Sequence, residues 1–130
     1  MPALALALIS ESFAQPLECR GAQKASQVVE LMFGRHIGGG VRVSDREWAR
    51  FVDREITPRF PDGLTVLNGS GQWREPRSGK IIREPSKIVQ IVLPGQAEDL
   101  DRLAAIAAVY KRRFKQHSVG VIVRPACVSF

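Results

Sequence analysis

Two periodicities alternate along this chain. In QVVELMFGR (residues 27–35) Val29, Leu31 and Phe33 fall on every second position, the spacing of a strand with one buried face. HIGGGVRV follows as a glycine-rich loop. In SDREWARFVDREI the period changes: Trp48, Phe51, Val52 and Ile56 make an apolar helical face, and Ser44 with Glu47 three positions on forms a capping box. Pro58 is expected to end this helix, because the residue before a proline is pushed out of the α region.

GLTVLNGSGQWRE reads as a second strand, with Asn68, Gly69, Ser70 and Gly71 suggesting a bulge or bend. PRSGK is a turn, and IIREPSKIVQIVL returns as a third strand whose 87–93 half is apolar enough to be central. Pro85 marks a bend in it. The clearest helix follows, with Leu100, Leu103, Ile106, Ala107, Tyr110 and Phe114 in one stripe. Acids open that helix and Lys111, Arg112 and Arg113 close it, matching the helix dipole. SVGVIVRPACVSF supplies a fourth strand.

The order β-α-β-β-α-β predicts an α+β, ferredoxin-like domain over residues 19–130. Its antiparallel sheet has four strands, with two helices on one face. The first and third strands are then central, and the fourth lies antiparallel beside the first. Domains of this kind can pair through their sheets as a dimeric α+β barrel, so a homodimer is the expected assembly. The sequence contains no repeat, linker or low-complexity stretch.

The amino-terminal run changes the picture of location. Residues 2–9 are almost wholly apolar, and Ser12, Phe13 and Ala14 place small residues where a signal peptidase reads. Residues 1–14 are expected to be an export signal without a basic front end; the alternative is an apolar tail on a cytosolic protein. The segment is too short to span a membrane as a helix. Cys19 and Cys127, at opposite ends of the domain, suggest one long-range disulfide, and the predicted topology brings the two positions together. Neither a Cys-x-x-Cys spacing nor a nearby histidine supports a redox pair or a metal site.

Composition adds less. With 19 Lys and Arg against 13 Asp and Glu in 130 residues, the formal charge is +6. That balance favours anionic partners. The bases are spread out, however, and not interleaved with aromatics, so no nucleic-acid partner is expected.

FVDREITPRFPDGLTVLNGSGQW, with IIREPSKIV, VYKRRF and the closing ACVSF, resembles a family of small exported bacterial proteins catalogued as domain of unknown function 3574. The likeness covers roughly residues 19–130. It implies an exported location and a shared fold, and no mechanism or catalytic residue. Many relatives look like lipoproteins, whereas Leu17 and Glu18 before Cys19 do not make a lipobox.

The most distinctive stretch, residues 57–73, admits two readings. Structurally, Phe60 covers the core, Pro61, Asp62 and Gly63 form a turn, and Trp73 caps a strand end. Functionally, Trp73 offers a flat apolar wall, Arg59 an anion clamp and Gln72 an orienting amide. Arg83 and Tyr110 are further candidates for ligand contact, although Tyr110 also fits the core stripe. For acid–base work the candidates are His36 and Asp62, the latter better explained by its turn. Gly38, Gly39 and Gly40 could cradle an anion but lack the Lys-Ser/Thr of a phosphate loop. No cofactor or metal is expected. The favoured function is an exported, non-catalytic domain binding a small anionic or aromatic ligand. A small cofactor-free enzyme and a purely structural envelope-associated protein are the alternatives.

Overall fold

The computed structural model describes residues 17–130; the leader expected over residues 1–14 lies outside the described residues. Strands β1 (Lys24–Gly34), β4 (Thr65–Arg74), β5 (Ile81–Val92) and β6 (Gly120–Val128) form one antiparallel sheet in the order β4-β5-β1-β6. This is the ferredoxin-like arrangement, with the two expected strands at its centre. The glycine-rich segment is a small hairpin, β2 (His36–Gly38) and β3 (Val41–Arg42), rather than a loop. Gly38, Gly39 and Gly40 all have positive φ there, a geometry that L side chains resist.

Alternation decides which face is covered. Val29, Leu31 and Phe33 of β1 and Val89 and Ile91 of β5 point to the helix side and are buried. They meet Trp48, Phe51 and Ile56 from the first helical segment and Leu103, Ile106, Tyr110 and Phe114 from α2 (Asp99–Phe114). Phe33 stands edge-on to Tyr110, with ring centroids 4.7 Å apart, and also to Trp48 and Phe51. Full burial of one such side chain contributes about 1.5–3 kcal/mol. Leu100 does not join this stripe: it is 64% exposed. The inward position of the first turn belongs to Asp99, whose Oδ2 accepts the Gly95 and Gln96 amides at 2.9 Å.

The first helical segment carries the expected capping box and then departs from expectation. α1 (Asp45–Phe51) starts with Ser44 and Glu47 exchanging hydrogen bonds, and continues as a π-helical turn, Val52–Ile56. Thr57, although it precedes Pro58, keeps α-helical angles, and its amide donates to Val52 O. Phe60 still donates to Ile56 O, so Pro58 does not end the winding. The wider turn gives the proline ring room against the preceding carbonyls. The stop comes at Pro61, Asp62 and Gly63, where Gly63 takes φ +148°.

Pro85 sits within β5, a central strand. Its missing N–H falls on the β1 side beyond Gly34, where β1 has ended. Its carbonyl is used, accepting the Arg35 amide at 3.1 Å. Cys19 and Cys127 form the expected disulfide, with Cα atoms 5.4 Å apart at a sequence separation of 108. No helix among the described residues is long and apolar enough to cross a membrane.

Candidate functional site

The face of the sheet away from the helices is uncovered. Register puts Met32 and Gly34 of β1, Ile82, Glu84, Ser86 and Ile88 of β5, Gly69, Gly71 and Trp73 of β4, and Gly120 of β6 on this side. Where β1 ends and the β2–β3 hairpin turns away, these residues line a cavity of about 620 Å³. Its rim is completed by His36, Ile37 and the segment after α2 that includes Gln116 and His117.

The floor is glycine. NGSG does not bulge: β4 pairs with β5 without interruption from Thr65 to Arg74, which turns Gly69 and Gly71 into the cavity. A Cβ on Gly34 would lie 2.7 Å from Glu84 Oε1, and one on Gly69 would lie 2.8 Å from Ser86 Oγ. These glycines leave room for the Glu84 and Ser86 side chains to lie across the sheet.

Glu84 organises the site, although it was not among the candidates. Its Oε2 accepts the His36 backbone N–H at 2.8 Å, and its Oε1 accepts the Trp73 indole N–H at 3.1 Å. One carboxylate thus ties β4, β5 and the β1–β2 corner together and sets the plane of the indole. From the core side, the Tyr110 hydroxyl donates to Gly34 O at 2.7 Å, and Gln116 Nε2 donates to His36 O at 2.8 Å. Burial pushes the Tyr110 phenol well above its ordinary range; nearby Arg35 opposes that rise and Glu84 adds to it.

The structure gathers only some of the candidates. Trp73, Gln72 and His36 border the cavity. Arg83 lines a neighbouring groove with Gln72, and its strand alternation sends it to the opposite face from Glu84. Tyr110 is buried core and touches the site only through the Gly34 carbonyl. Arg59 lies before β4 begins, the length of that strand from Trp73, and pairs with Glu55 at 2.9 Å, one helical turn back. Asp62 is an exposed turn residue remote from the cavity lining. His36 and Arg59 therefore do not converge. Among the described residues, no group of three or more His, Cys, Asp or Glu could hold a metal ion.

The profile of one protein family, described as "Protein of unknown function (DUF3574)", matches residues 28–130. The chain belongs to the DUF3574 family. Among curated proteins, none matches it. The solved structures that resemble this DUF3574 domain include two of one enzyme. One is "Phage SAM lyase in complex with S-methyl-5'-thioadenosine", with a TM-score of 0.63 and 17% identity over 90% of this chain and 97% of the other. The second is "Phage SAM lyase in apo state", with a TM-score of 0.61 and 18% identity over 88% and 92%. At such identities the likeness establishes the shared fold alone.

Proposed function

We propose that the open-face cavity binds a small, flat ligand of about nucleoside size. The observation that carries this reading is the cavity of about 620 Å³ on the open sheet face, where Gly34, Gly69 and Gly120 let the Glu84, Ser86 and Met32 side chains lie close to the sheet beside an indole held by Glu84. A site of this volume, mostly apolar with a few fixed polar groups, has the character of small-molecule pockets in general. Trp73 supplies a stacking surface, and Gln72 and Gln116 border the cavity with neutral amides.

The shared fold with a protein that holds S-methyl-5'-thioadenosine makes thionucleosides the first chemistry to try. Export is part of the same reading, supported by the disulfide between Cys19 and Cys127. A second reading is turnover, favoured by the description of that structural neighbour as a lyase.

One experiment separates the two. The oxidised domain is titrated calorimetrically with S-methyl-5'-thioadenosine, and incubated with S-adenosylmethionine while products are followed by chromatography. Binding that Trp73→Ala abolishes, without loss of S-adenosylmethionine, supports a binding domain. Steady conversion that Trp73→Ala also abolishes supports an enzyme. No binding and no conversion by folded protein removes the thionucleoside reading.

A further inference from the structure

We infer that the occupant of this cavity carries a positive charge, an inference that rests on the cavity being a ligand site. Four acids, Glu30, Asp45, Glu55 and Asp99, each sit within 2.7–3.3 Å of an arginine nitrogen. Glu84, like seven other acids among the described residues, has no such partner, and it differs from them in being held at the cavity wall by two separate segments. Its two hydrogen bonds come from neutral donors, a backbone amide and an indole. A carboxylate offers about four acceptor positions, so about two stay available.

The surroundings do not compensate that charge. Of the charged residues lining the cavity, Glu75 and Glu84 face a single base, Lys115, with His36 and His117 at the rim. Glu75 accepts the Arg77 and Ser78 amides within its own turn. Glu84 is the fixed carboxylate that joins separate segments of the cavity wall, on a mostly apolar floor, hydrogen-bonded to an aromatic side chain whose face attracts cations. A strut joining three strands needs an acceptor and not a charge. A strut that also leaves a carboxylate uncompensated suits a ligand that brings the opposite sign. The class is an organic cation, such as a sulfonium, quaternary ammonium or pyridinium, attached to a flat heteroaromatic group.

The test uses two pairs of probes, each differing by one methyl group and one charge. The first pair is S-methyl-5'-thioadenosine and its S-methylated sulfonium. The second is nicotinamide and 1-methylnicotinamide. Affinities are measured by following the Trp73 indole N–H and the Gly69 and Gly71 amides in proton–nitrogen spectra of wild type, Glu84→Gln and Trp73→Ala. Thermal melts establish that each variant is folded. Coulomb attraction to a fixed carboxylate at the cavity wall predicts a preference for the cation of about tenfold or more in wild type, falling to about equal affinity in Glu84→Gln. Equal binding of both members of a pair, lost in Trp73→Ala, overturns the charge inference and leaves the ligand site standing. Cation-selective binding of the nicotinamide pair alone supports the charge inference and removes the thionucleoside reading. No perturbation by any of the four probes overturns both.

Discussion

Replacing Gly34 by alanine tests whether the site is built around Glu84. An ideal Cβ at this position lies 2.7 Å from Glu84 Oε1 and 2.9 Å from both Cδ and Oε2, so the carboxylate must swing away. Gly34 is not among the glycines with positive φ, so the backbone accepts alanine without strain. What is lost is the pair of hydrogen bonds to the His36 amide and the Trp73 indole. Hydrogen bonds to a charged group contribute about 1.5–3 kcal/mol when fully buried, and water at this open cavity replaces part, leaving about 2 kcal/mol for the pair. Alanine returns about 0.5 kcal/mol through the entropy that glycine loses in a strand. The net cost of about 1.5 kcal/mol corresponds to a fall in Tm of roughly 6 °C for a domain of this size. The assay is urea unfolding followed by tryptophan fluorescence, in wild-type and Glu84→Ala backgrounds. With the carboxylate removed, Gly34→Ala should be neutral or slightly stabilising. An equal loss in both backgrounds would refute the reasoning, because the cost would then not run through Glu84.

Four further outcomes follow from the same structure. Tyr110→Phe leaves the Gly34 carbonyl without its donor and should cost about 1–2 kcal/mol in chemical denaturation. Because burial raises the Tyr110 phenol above its ordinary 10.0, unfolding should become easier as pH rises past that value. The alkaline slope should be shallower in Tyr110→Phe, read by melting at graded pH. The Ser44 amide and hydroxyl hold Glu47 below its ordinary 4.5, so its contribution is complete above that pH and fades as pH falls below it. Glu47→Gln should flatten this acid limb in the same melts. Cys19→Ser with Cys127→Ser should lower stability by up to about 4–5 kcal/mol on the chain-entropy account, checked by comparing denaturant midpoints of the oxidised and double-serine proteins.

Much of the fold was legible because burial follows period. Val29, Leu31 and Phe33 show which face of β1 is covered, and Leu103, Ile106, Tyr110 and Phe114 do the same for α2. Ser44 and Glu47 mark the helix start because that motif is local chemistry. Leu100 misled because periodicity continues to the end of a helix, whereas the covering sheet does not. Pro58 misled because the preference of the preceding residue gave way to a π-helical turn. The candidate site was only partly legible. Trp73 was conspicuous, but Glu84 reads as one more polar position in IIREPSKIV until the register places it opposite Gly71 and next to Gly34. Gly69 and Gly71 looked like a bulge because a glycine that breaks a strand and a glycine that makes room for a cross-strand side chain such as Ser86 are the same letter. Arg59 drew attention for its charge, which is satisfied within its own turn by Glu55.

The disulfide has a mechanical consequence. Cys19 and Cys127 meet at the end of the sheet where Ala25 pairs with Cys127, while the cavity lies at the other end, around Gly34 and Gly120. Tension applied ahead of Cys19 and beyond Cys127 passes across a covalent bond and bypasses the span that the disulfide closes. Under load the oxidised domain should hold its cavity shape until the sulfur–sulfur bond breaks, and the reduced domain should unravel from β6 inward. A protein fastened to a surface by either of these ends presents the cavity outward and keeps it out of the path of the force.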